Sequence, residues 1–421
     1  MKQCTRLAMA ALVLLVLAAP GSAGEDWITT WATSPQPRFA DGFFVLNSTP
    51  LTLTNQTIRQ FVRISVGGKR VRVVVSNEYG RLPLQIGAAT VARAGSGGTA
   101  VVPGSGARLT FAGEAAIRIP PGARLVSDPV AFEAKPLESL AVSLFLPGET
   151  RIDTVHSDGV QTAYISGPGD FVEETGFEAA TTNTARMLLS GIMVDAAPGA
   201  EAIVLFGDSI TDGNCSTADT SRRYPDALAE RLQAQGHTDV AVLNAGISGA
   251  RVLKDGMGAN ALARLDRDVL AQPHVTTMVM MLGINDIGWA EMVLDPENVP
   301  TVEQITAIYR MVIDRAHSHG IRALGATLTP FADAFKGVPL LDAYYSPAKD
   351  AVRAEVNEWI RTSGAFDGVI DFDQTLRDPE RPEYLLDAYD CGDNLHPNDA
   401  GYRVMAESID LGLLLAESGR E

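Results

Sequence analysis

The sequence predicts a β-rich sandwich or jelly roll over residues 24–196, followed by a doubly wound parallel α/β sheet over residues 200–421. Short apolar segments with period-two alternation, separated by turns rich in Gly and Pro, predict the first half. Apolar strands alternating with amphipathic helices predict the second, as a three-layer α/β/α arrangement. The linker is expected at Ala196-Ala197-Pro198-Gly199. The length of 421 residues also suits two hydrophobic cores.

Composition and charge exclude several classes of protein. The hydrophobic fraction is 46%, which is typical of a globular chain and argues against wholesale disorder. The chain has 34 Lys and Arg residues against 51 Asp and Glu residues, so its formal net charge is −17. A polyanion needs a cationic surface, and nucleic acid is therefore excluded as a partner.

The first residues have the pattern of a secretory signal peptide, predicted over residues 1–23. Lys2 and Arg6 precede an uncharged apolar run over residues 7–19, and Gly21-Ser22-Ala23 provides a small-residue cleavage site. The run is too short to span a bilayer core of roughly 30 Å. We therefore expect cleavage near Ala23, a periplasmic or extracellular protein, and no membrane partner after cleavage. Loss of the two cations changes the net charge from −17 to −19.

In the first half, alternating apolar residues between Asn55 and Ser76 flank Gly67-Gly68, which predicts a β-hairpin. Further predicted strands cover residues 86–92, 109–112, 140–146 and 187–194.

The second half alternates strands with helices. Predicted strands cover residues 202–206, 240–243, 275–282, 321–328 and 369–372. Predicted helices cover residues 224–235, a segment opened by a Thr301/Gln304 capping box, residues 347–361, and a last helix from Asn398 to Leu414. In such sheets the ligand crevice lies beyond the carboxyl ends of the strands, so catalytic residues are expected there.

Three of these strand ends carry candidate functional residues. Ser209 follows the first strand and could supply a nucleophilic hydroxyl and an N–H donor, or could be only a helix N-cap. Gly249 could bring a backbone N–H against a substrate oxygen, and Asn285 could add a side-chain amide. The alternative for both is an ordinary residue of a βα turn.

A nucleophilic Ser needs a base, and the base needs an orienting carboxylate. Three His residues have an Asp three positions earlier, so spacing alone does not discriminate between them: Asp153/His156, Asp314/His317 and Asp393/His396. The first pair is expected on opposite faces of a strand. The second is expected on an exposed helix surface. The third lies at the crevice end of the sheet, where His396 could instead be a polar loop residue.

Four segments together resemble the SGNH hydrolases, the GDSL-like esterase superfamily. They are Gly207-Asp208-Ser209-Ile210, Gly249 within residues 244–251, Gly283-Ile284-Asn285-Asp286, and Asp393-Asn394-Leu395-His396-Pro397. The resemblance covers about residues 200–417 and implies an SGNH-type, flavodoxin-like sheet. The first half, with Trp31-Ala32-Thr33-Ser34 and residues 59–76, resembles a secreted two-domain subgroup related to acetylxylan esterases and arylesterases.

The resemblance implies a role for each site residue. Ser209 would be the nucleophile, His396 the general base and then acid, and Asp393 the residue that orients His396. The oxyanion hole would consist of the N–H groups of Ser209 and Gly249 with the amide of Asn285. This chemistry requires no cofactor and no metal.

If this triad forms, the segments around Cys215 and Cys391 must approach each other, and we therefore expect a Cys215–Cys391 disulfide. The alternative is two separate buried thiols.

The resulting hypothesis is a secreted serine esterase that removes short acyl groups, acetyl above all, from a polysaccharide or another alcohol. The first half could bind glycan or wall the cleft. A promiscuous arylesterase or lipase-like hydrolase of small esters is an alternative, and a catalytically inactive carbohydrate-binding protein is another. These motifs set neither the acyl length nor the oligomeric state.

Overall fold

The computed structural model describes residues 26–38, 49–293 and 295–415. The predicted signal peptide, residues 1–23, lies outside the described residues. Strands dominate up to Asp195, and helices alternate with parallel strands from Glu201 onward.

In the described part of the first half the regular elements are strands, which range from 2 to 13 residues in length. These are β1 (Trp27–Ala32), β2 (Gln36–Pro37), β3 (Thr52–Arg63), β4 (Gly68–Ser76), β5 (Leu84–Ile86), β6 (Ala88–Arg93), β7 (Ala107–Arg108), β8 (Ile117–Ile119), β9 (Arg124–Val126), β10 (Val130–Ala134), β11 (Ser139–Arg151), β12 (Thr154–His156), β13 (Ala163–Pro168), β14 (Ala179–Asn183), β15 (Arg186–Met187) and β16 (Leu189–Asp195).

Two antiparallel sheets organise this half. One has the order β1-β16-β4-β10, with β9 also paired to β4, and the other has the order β14-β13-β3-β11-β6-β7. Inward-facing side chains of both sheets, such as Ile58 and Val62 from one and Val73 and Ile192 from the other, belong to one hydrophobic core. The predicted β-rich half is confirmed. The remaining strands form the small sheets β15-β12-β2 and β5-β8.

The predicted hairpin between Asn55 and Ser76 is wrong. β3 pairs with β11 and β13, whereas β4 pairs with β16, β10 and β9 in the other sheet. The connection crosses between the sheets and is buried, with the N–H of Ile64 bonded to the carbonyl of Glu138 and that of Ser65 to the carbonyl of Thr30. The alternation arose because both strands face the same core. Such a pattern identifies the buried face of a strand but not its hydrogen-bonding partner.

The strands of the second half are β17 (Glu201–Gly207), β18 (Val240–Gly246), β19 (Val275–Met281), β20 (Arg322–Ala326) and β21 (Gly368–Ile370). Its helices are α1 (Ser209–Asp212), α2 (Tyr224–Ala234), α3 (Ala261–Leu265), α4 (Ile284–Gly288), α5 (Val302–Ser318), α6 (Pro347–Thr362), α7 (Phe372–Leu376), α8 (Asp399–Ser408) and α9 (Leu411–Leu414), with one π-helical turn at Asp266–Leu270.

All five of these strands are parallel, in the order β18-β17-β19-β20-β21. This is the 2-1-3-4-5 order of flavodoxin-like doubly wound sheets, and the predicted fold class is confirmed. The register places Gly207 beside Gly246 on one side and beside Met281 on the other. The segments that leave β17, β18 and β19 therefore start side by side at one edge.

Local signals set most helix boundaries. The Thr301/Gln304 capping box is present at the start of α5, as predicted. The predicted last helix is instead interrupted, because Ile409 is extended and the Asp410 side chain accepts a hydrogen bond from Gly412 N (2.8 Å) to start α9. Within the part of the chain described here, no helix is long and apolar enough to cross a lipid bilayer.

The two halves are in direct contact. Strand β1 packs against β18. The Oγ of Ser65 accepts a hydrogen bond from Val242 N (3.1 Å), and Thr29 Oγ1 donates to Gln272 Oε1 (3.0 Å). Arg63 forms an ion pair with Glu230 (2.6 Å).

A buried arginine connects the ends of β17 and β18. Arg264 donates to the carbonyl oxygens of Gly207 and Ala245, both at 2.7 Å, and forms an ion pair with Asp268 at 3.1 Å. Its guanidinium lies 4.2 Å from the ring centroid of Phe206. This side chain is fully buried, so its donors satisfy carbonyl groups that water cannot reach.

Replacing Arg264 with Met should therefore destabilise the protein. The substitution removes the donors to two buried carbonyls and one partner of Asp268, which we expect to lower the free energy of unfolding by about 3–5 kcal/mol. Chemical denaturation followed by circular dichroism measures the change. The exposed Arg403→Met variant serves as the control, and equal unfolding curves for the two variants would show that Arg264 contributes no special stability.

Candidate active site

Ser209 is the first residue of α1, directly beyond β17. The N-cap of this helix is Asp208, whose carboxylate accepts a hydrogen bond from Ile210 N (3.1 Å). The alternative that Ser209 is only a helix N-cap is therefore wrong. Because the cap is provided by its neighbour, the Ser209 hydroxyl can contact another group, and its Oγ lies 2.8 Å from Nε2 of His396.

His396 is held by Asp393 on the other side of its ring. Its Nδ1 lies 2.6 Å from Asp393 Oδ2, while Asp393 Oδ1 accepts hydrogen bonds from the backbone N–H groups of Leu395 (2.9 Å) and His396 (2.8 Å). A carboxylate only accepts, so the proton of a neutral imidazole lies on Nδ1. The lone pair of Nε2 then faces the hydroxyl of Ser209.

The other two Asp-x-x-His pairs are not joined. Asp153 forms an ion pair with Arg151, whereas His156 contacts Asp212 at 2.9 Å. His317 contacts Asp367 at 2.8 Å rather than Asp314. Of the three candidate pairs, the structure thus brings only Asp393 and His396 together.

The electrostatics of the Asp393–His396 pair favour charge separation. Burial would lower the pKa of His396, but the charge and hydrogen bond of Asp393 outweigh it, with Asp208 and Asp158 acting in the same direction, and the pKa is raised. Burial would likewise raise the pKa of Asp393, but the charge and hydrogen bonds of His396 outweigh it, and the pKa is lowered. Asp393 is therefore ionised, and an imidazolium at His396 would be stabilised.

Asp208, next to Ser209, differs from Asp393 in its ionisation. Burial raises its pKa to about 7. Its Oδ2 has no hydrogen-bond partner among the described residues. Asp208 is therefore only partly ionised near neutral pH, and sequence reasoning did not identify this property.

Gly249 and Asn285 lie close together, although the strands that they follow, β18 and β19, flank β17 on opposite sides. The φ angle of Gly249 is +69°, and a Cβ there would clash with the side chain of Met257. Asn285, on α4, donates from Nδ2 to the carbonyl of Ala250 (3.2 Å). An amide nitrogen has two N–H groups, so a second donor can serve a ligand.

Two aromatic residues fix the orientation of the Asn285 amide. Its Oδ1 accepts hydrogen bonds from Trp289 Nε1 (3.1 Å) and from Tyr344 OH (2.9 Å). Because both partners donate, the oxygen must face them and the nitrogen must face the Gly249 segment. Trp289 and Tyr344 were missed because no short motif surrounds them and their loops have no periodic pattern.

Residues of the first half also contact this site. The sequence did not identify which residues these are. Asp158 accepts hydrogen bonds from Ser248 Oγ and from Asn214 Nδ2 (3.2 Å). The amide of Gln36 donates to the carbonyl of Met257 (2.7 Å), whose side chain lies against Gly249.

Cys215 and Cys391 form a disulfide, with Cα atoms 6.2 Å apart, as predicted. It joins the segment just after α1 to the loop that carries Asp393 and His396, and so connects the two parts of the chain that supply the Ser209–His396 contact.

Comparison with known proteins identifies the family of the second half. Residues 205–404 match the model of the GDSL-like lipase/acylhydrolase family. The second half of the chain is a carboxylic ester hydrolase domain of the SGNH/GDSL type. The matched segment contains Ser209, Gly249, Asn285, Asp393 and His396. No curated protein matches this hydrolase.

Several solved structures are similar to the hydrolase half. An acetylxylan esterase from Geobacillus stearothermophilus is 22% identical, with 52% of this chain and 95% of that chain covered and a TM-score of 0.36. Another acetyl xylan esterase is 21% identical, with 49% and 96% covered and a TM-score of 0.36. A GDSL-like lipase from Bacteroides thetaiotaomicron VPI-5482 is 18% identical, with 52% and 91% covered and a TM-score of 0.38.

Proposed function

We propose that the protein is an exported serine esterase that hydrolyses esters of short acyl groups, acetyl above all, with neutral alcohols. The proposed substrates include acetylated polysaccharides. The observation that carries the proposal is the continuous hydrogen-bonded chain from Ser209 through His396 to Asp393. Export is supported by the charge and apolar pattern of residues 1–23.

In the proposed mechanism, Ser209 Oγ attacks the ester carbonyl carbon while His396 Nε2 takes the hydroxyl proton. Asp393 accepts the Nδ1–H bond and stabilises the imidazolium that forms. The tetrahedral intermediate collapses, the carbon–oxygen bond to the alcohol breaks, and His396 returns the proton to the leaving oxygen. Water then attacks the acyl-enzyme with His396 again acting as base, which releases the acid and restores Ser209.

The negative oxygen of the intermediate would be stabilised by three donors, the N–H groups of Ser209 and Gly249 and the amide of Asn285. The support for this assignment is the shared strand edge, the positive φ of Gly249 and the orientation of the Asn285 amide. A single donor of this kind stabilises a transition state by about 3 kcal/mol. The orientation imposed by Trp289 and Tyr344 matters because a flipped amide would present an oxygen instead.

A short acyl group is favoured by how closely the reacting residues are surrounded. Ser209 and His396 are each only 6% exposed. The Phe335 ring lies 6.1 Å from the His396 ring, and Met257 packs against Gly249. A small acyl group suits a site where large side chains pack against both the base and the Gly249 donor. The same Phe335 ring, beside the base, also favours small aryl esters as a second candidate substrate class.

Replacing Ser209 with Ala should abolish ester hydrolysis. The attacking oxygen is removed, and loss of a triad nucleophile lowers kcat by about 10⁶-fold in a comparable system. We expect wild-type hydrolysis of p-nitrophenyl esters to be fastest for acetate and to fall steadily with acyl length, and we expect acetate release from acetylated xylan. Initial rates for wild type, Ser209→Ala and the exposed-site control Ser318→Ala measure these effects. Full turnover by Ser209→Ala would refute the mechanism, and faster cleavage of long-chain esters would refute the short-acyl assignment.

The pH profile should report the state of His396. The imidazole must be neutral to accept the Ser209 proton, and its pKa is raised above the ordinary 6.5. We therefore expect kcat/KM for an acetate ester to fall as the pH is lowered through an apparent pKa above 6.5. Asp393→Asn should move this fall to lower pH, because the raising charge is lost, and should lower kcat by about 10⁴-fold. A single fall near pH 4 would instead identify a carboxylate as the base.

A further inference from the structure

Asp158 comes from the first half of the chain yet lies at the proposed active site of the second half. It lies two residues after β12, and its neighbours Ser157 and Gly159 are buried. His156 contacts Asp212 of α1 through Nε2 (2.9 Å) and the carbonyl of Ser34 through Nδ1 (3.0 Å). The carbonyl of Gly159 accepts a hydrogen bond from Arg223. The position of Asp158 is therefore set by the contact between the two halves.

The Asp158 carboxylate contacts the two segments that carry the nucleophile and an oxyanion donor. Its Oδ2 accepts a hydrogen bond from Ser248 Oγ, and Ser248 directly precedes Gly249. It also accepts from Asn214 Nδ2 (3.2 Å), and the backbone N–H of Asn214 donates to the carbonyl of Ser209 (2.9 Å). Asp158 itself is only half-buried.

The negative charge of Asp158 acts on the reacting groups. It contributes, with Asp393 and Asp208, to the raised pKa of His396. A carboxylate at this place stabilises the imidazolium that forms during acyl transfer, but it also opposes the developing oxyanion. These effects have opposite signs for a neutral ester. A charged group on the substrate is either attracted or repelled by Asp158, and no second effect opposes this interaction.

We propose that Asp158 is a specificity-determining residue that selects esters by charge, disfavouring an anionic substituent near the ester and favouring a cationic group or a hydroxyl donor. This inference follows from the proposed function, because it assigns a selection rule to the same site. Acetylated neutral sugars, which present hydroxyl groups next to the ester, satisfy the rule. Esters that carry a free carboxylate beside the acyl group do not.

The competing explanation is that Asp158 only ties two loops together. Asp158→Asn separates the two roles, because its amide oxygen can still accept from Ser248 and Asn214 while the charge is lost. Asp219→Asn is the matched control. Asp219 also accepts hydrogen bonds across the contact between the halves, from Thr162 N (2.6 Å) and Oγ1 (2.7 Å), but it has no contact with Ser248 or Asn214 among the described interactions.

The test measures kcat/KM for three acetate esters of similar reach: acetylcholine, its neutral isostere 3,3-dimethylbutyl acetate, and 3-acetoxypropanoate. We expect wild type to prefer the cation over the neutral ester and the neutral ester over the anion. Asp158→Asn should lower the cation-to-anion ratio by about tenfold and change the neutral ester only a few-fold. Asp219→Asn should leave the ratio unchanged.

An unchanged ratio in folded Asp158→Asn, or an equal change in both variants, would overturn the proposal. If Asp158→Asn does not fold, Asp158→Ser provides the test, because it also removes the charge and must lower the same cation-to-anion ratio. The experiment distinguishes a wrong selection rule from a wrong proposed function. If Ser209→Ala still hydrolyses all three esters, the proposed function is wrong. If hydrolysis requires Ser209 but the ratio does not respond to Asp158, only the selection rule is wrong.

Discussion

The alignment of three strand ends is the constraint on which this active site depends. Gly207, Gly246 and Met281 lie side by side in the parallel sheet, so the segments leaving β17, β18 and β19 share one edge. Helix α1 packs directly on that edge, since a Cβ on Gly207 would clash with Thr211 and one on Gly246 would clash with the backbone of Asp212. This close approach, held by the buried Arg264, places Ser209 beside the Gly249 segment.

The β-rich half contacts the segments that form the candidate active site. His156 contacts Asp212 at the end of the nucleophile helix, Asp158 contacts Ser248 and Asn214, and Gln36 fixes the backbone of Met257. Of the two roles considered from sequence for this half, these contacts favour walling the cleft.

Most of the second half could be predicted from sequence because most local signals there agreed with the fold. Apolar strands, the Thr301/Gln304 capping box and the spacing of the motifs all pointed to one arrangement. The hairpin between Asn55 and Ser76 could not be predicted correctly, because alternation specifies a buried face and leaves strand pairing open. The prediction of one continuous last helix was wrong for a local reason, because Asp410 caps a separate helix, α9, within an otherwise apolar pattern.

Within the site, the residues that belong to short motifs were predictable and those that support them were not. Ser209, Asp393 and His396 lie in recognisable segments, and the structure brings them together. Asp158, Trp289 and Tyr344 reach the site from loops or from the other half. Their positions depend on tertiary contacts that a single sequence does not encode in any local pattern. Asp153 and His156 are the opposite case. Their spacing matches the Asp-x-x-His pattern, but Asp153 pairs with Arg151 and His156 pairs with Asp212.

The central claim is that Ser209, activated by His396, is the nucleophile of this hydrolase. A fluorophosphonate probe reacts covalently with an activated serine hydroxyl, and peptide mass spectrometry then locates the modified residue. We expect wild type to carry one probe on the peptide containing Ser209, with labelling lost in Ser209→Ala and strongly slowed in His396→Ala. Labelling of a different residue, or equal labelling rates in wild type and His396→Ala, would contradict the account.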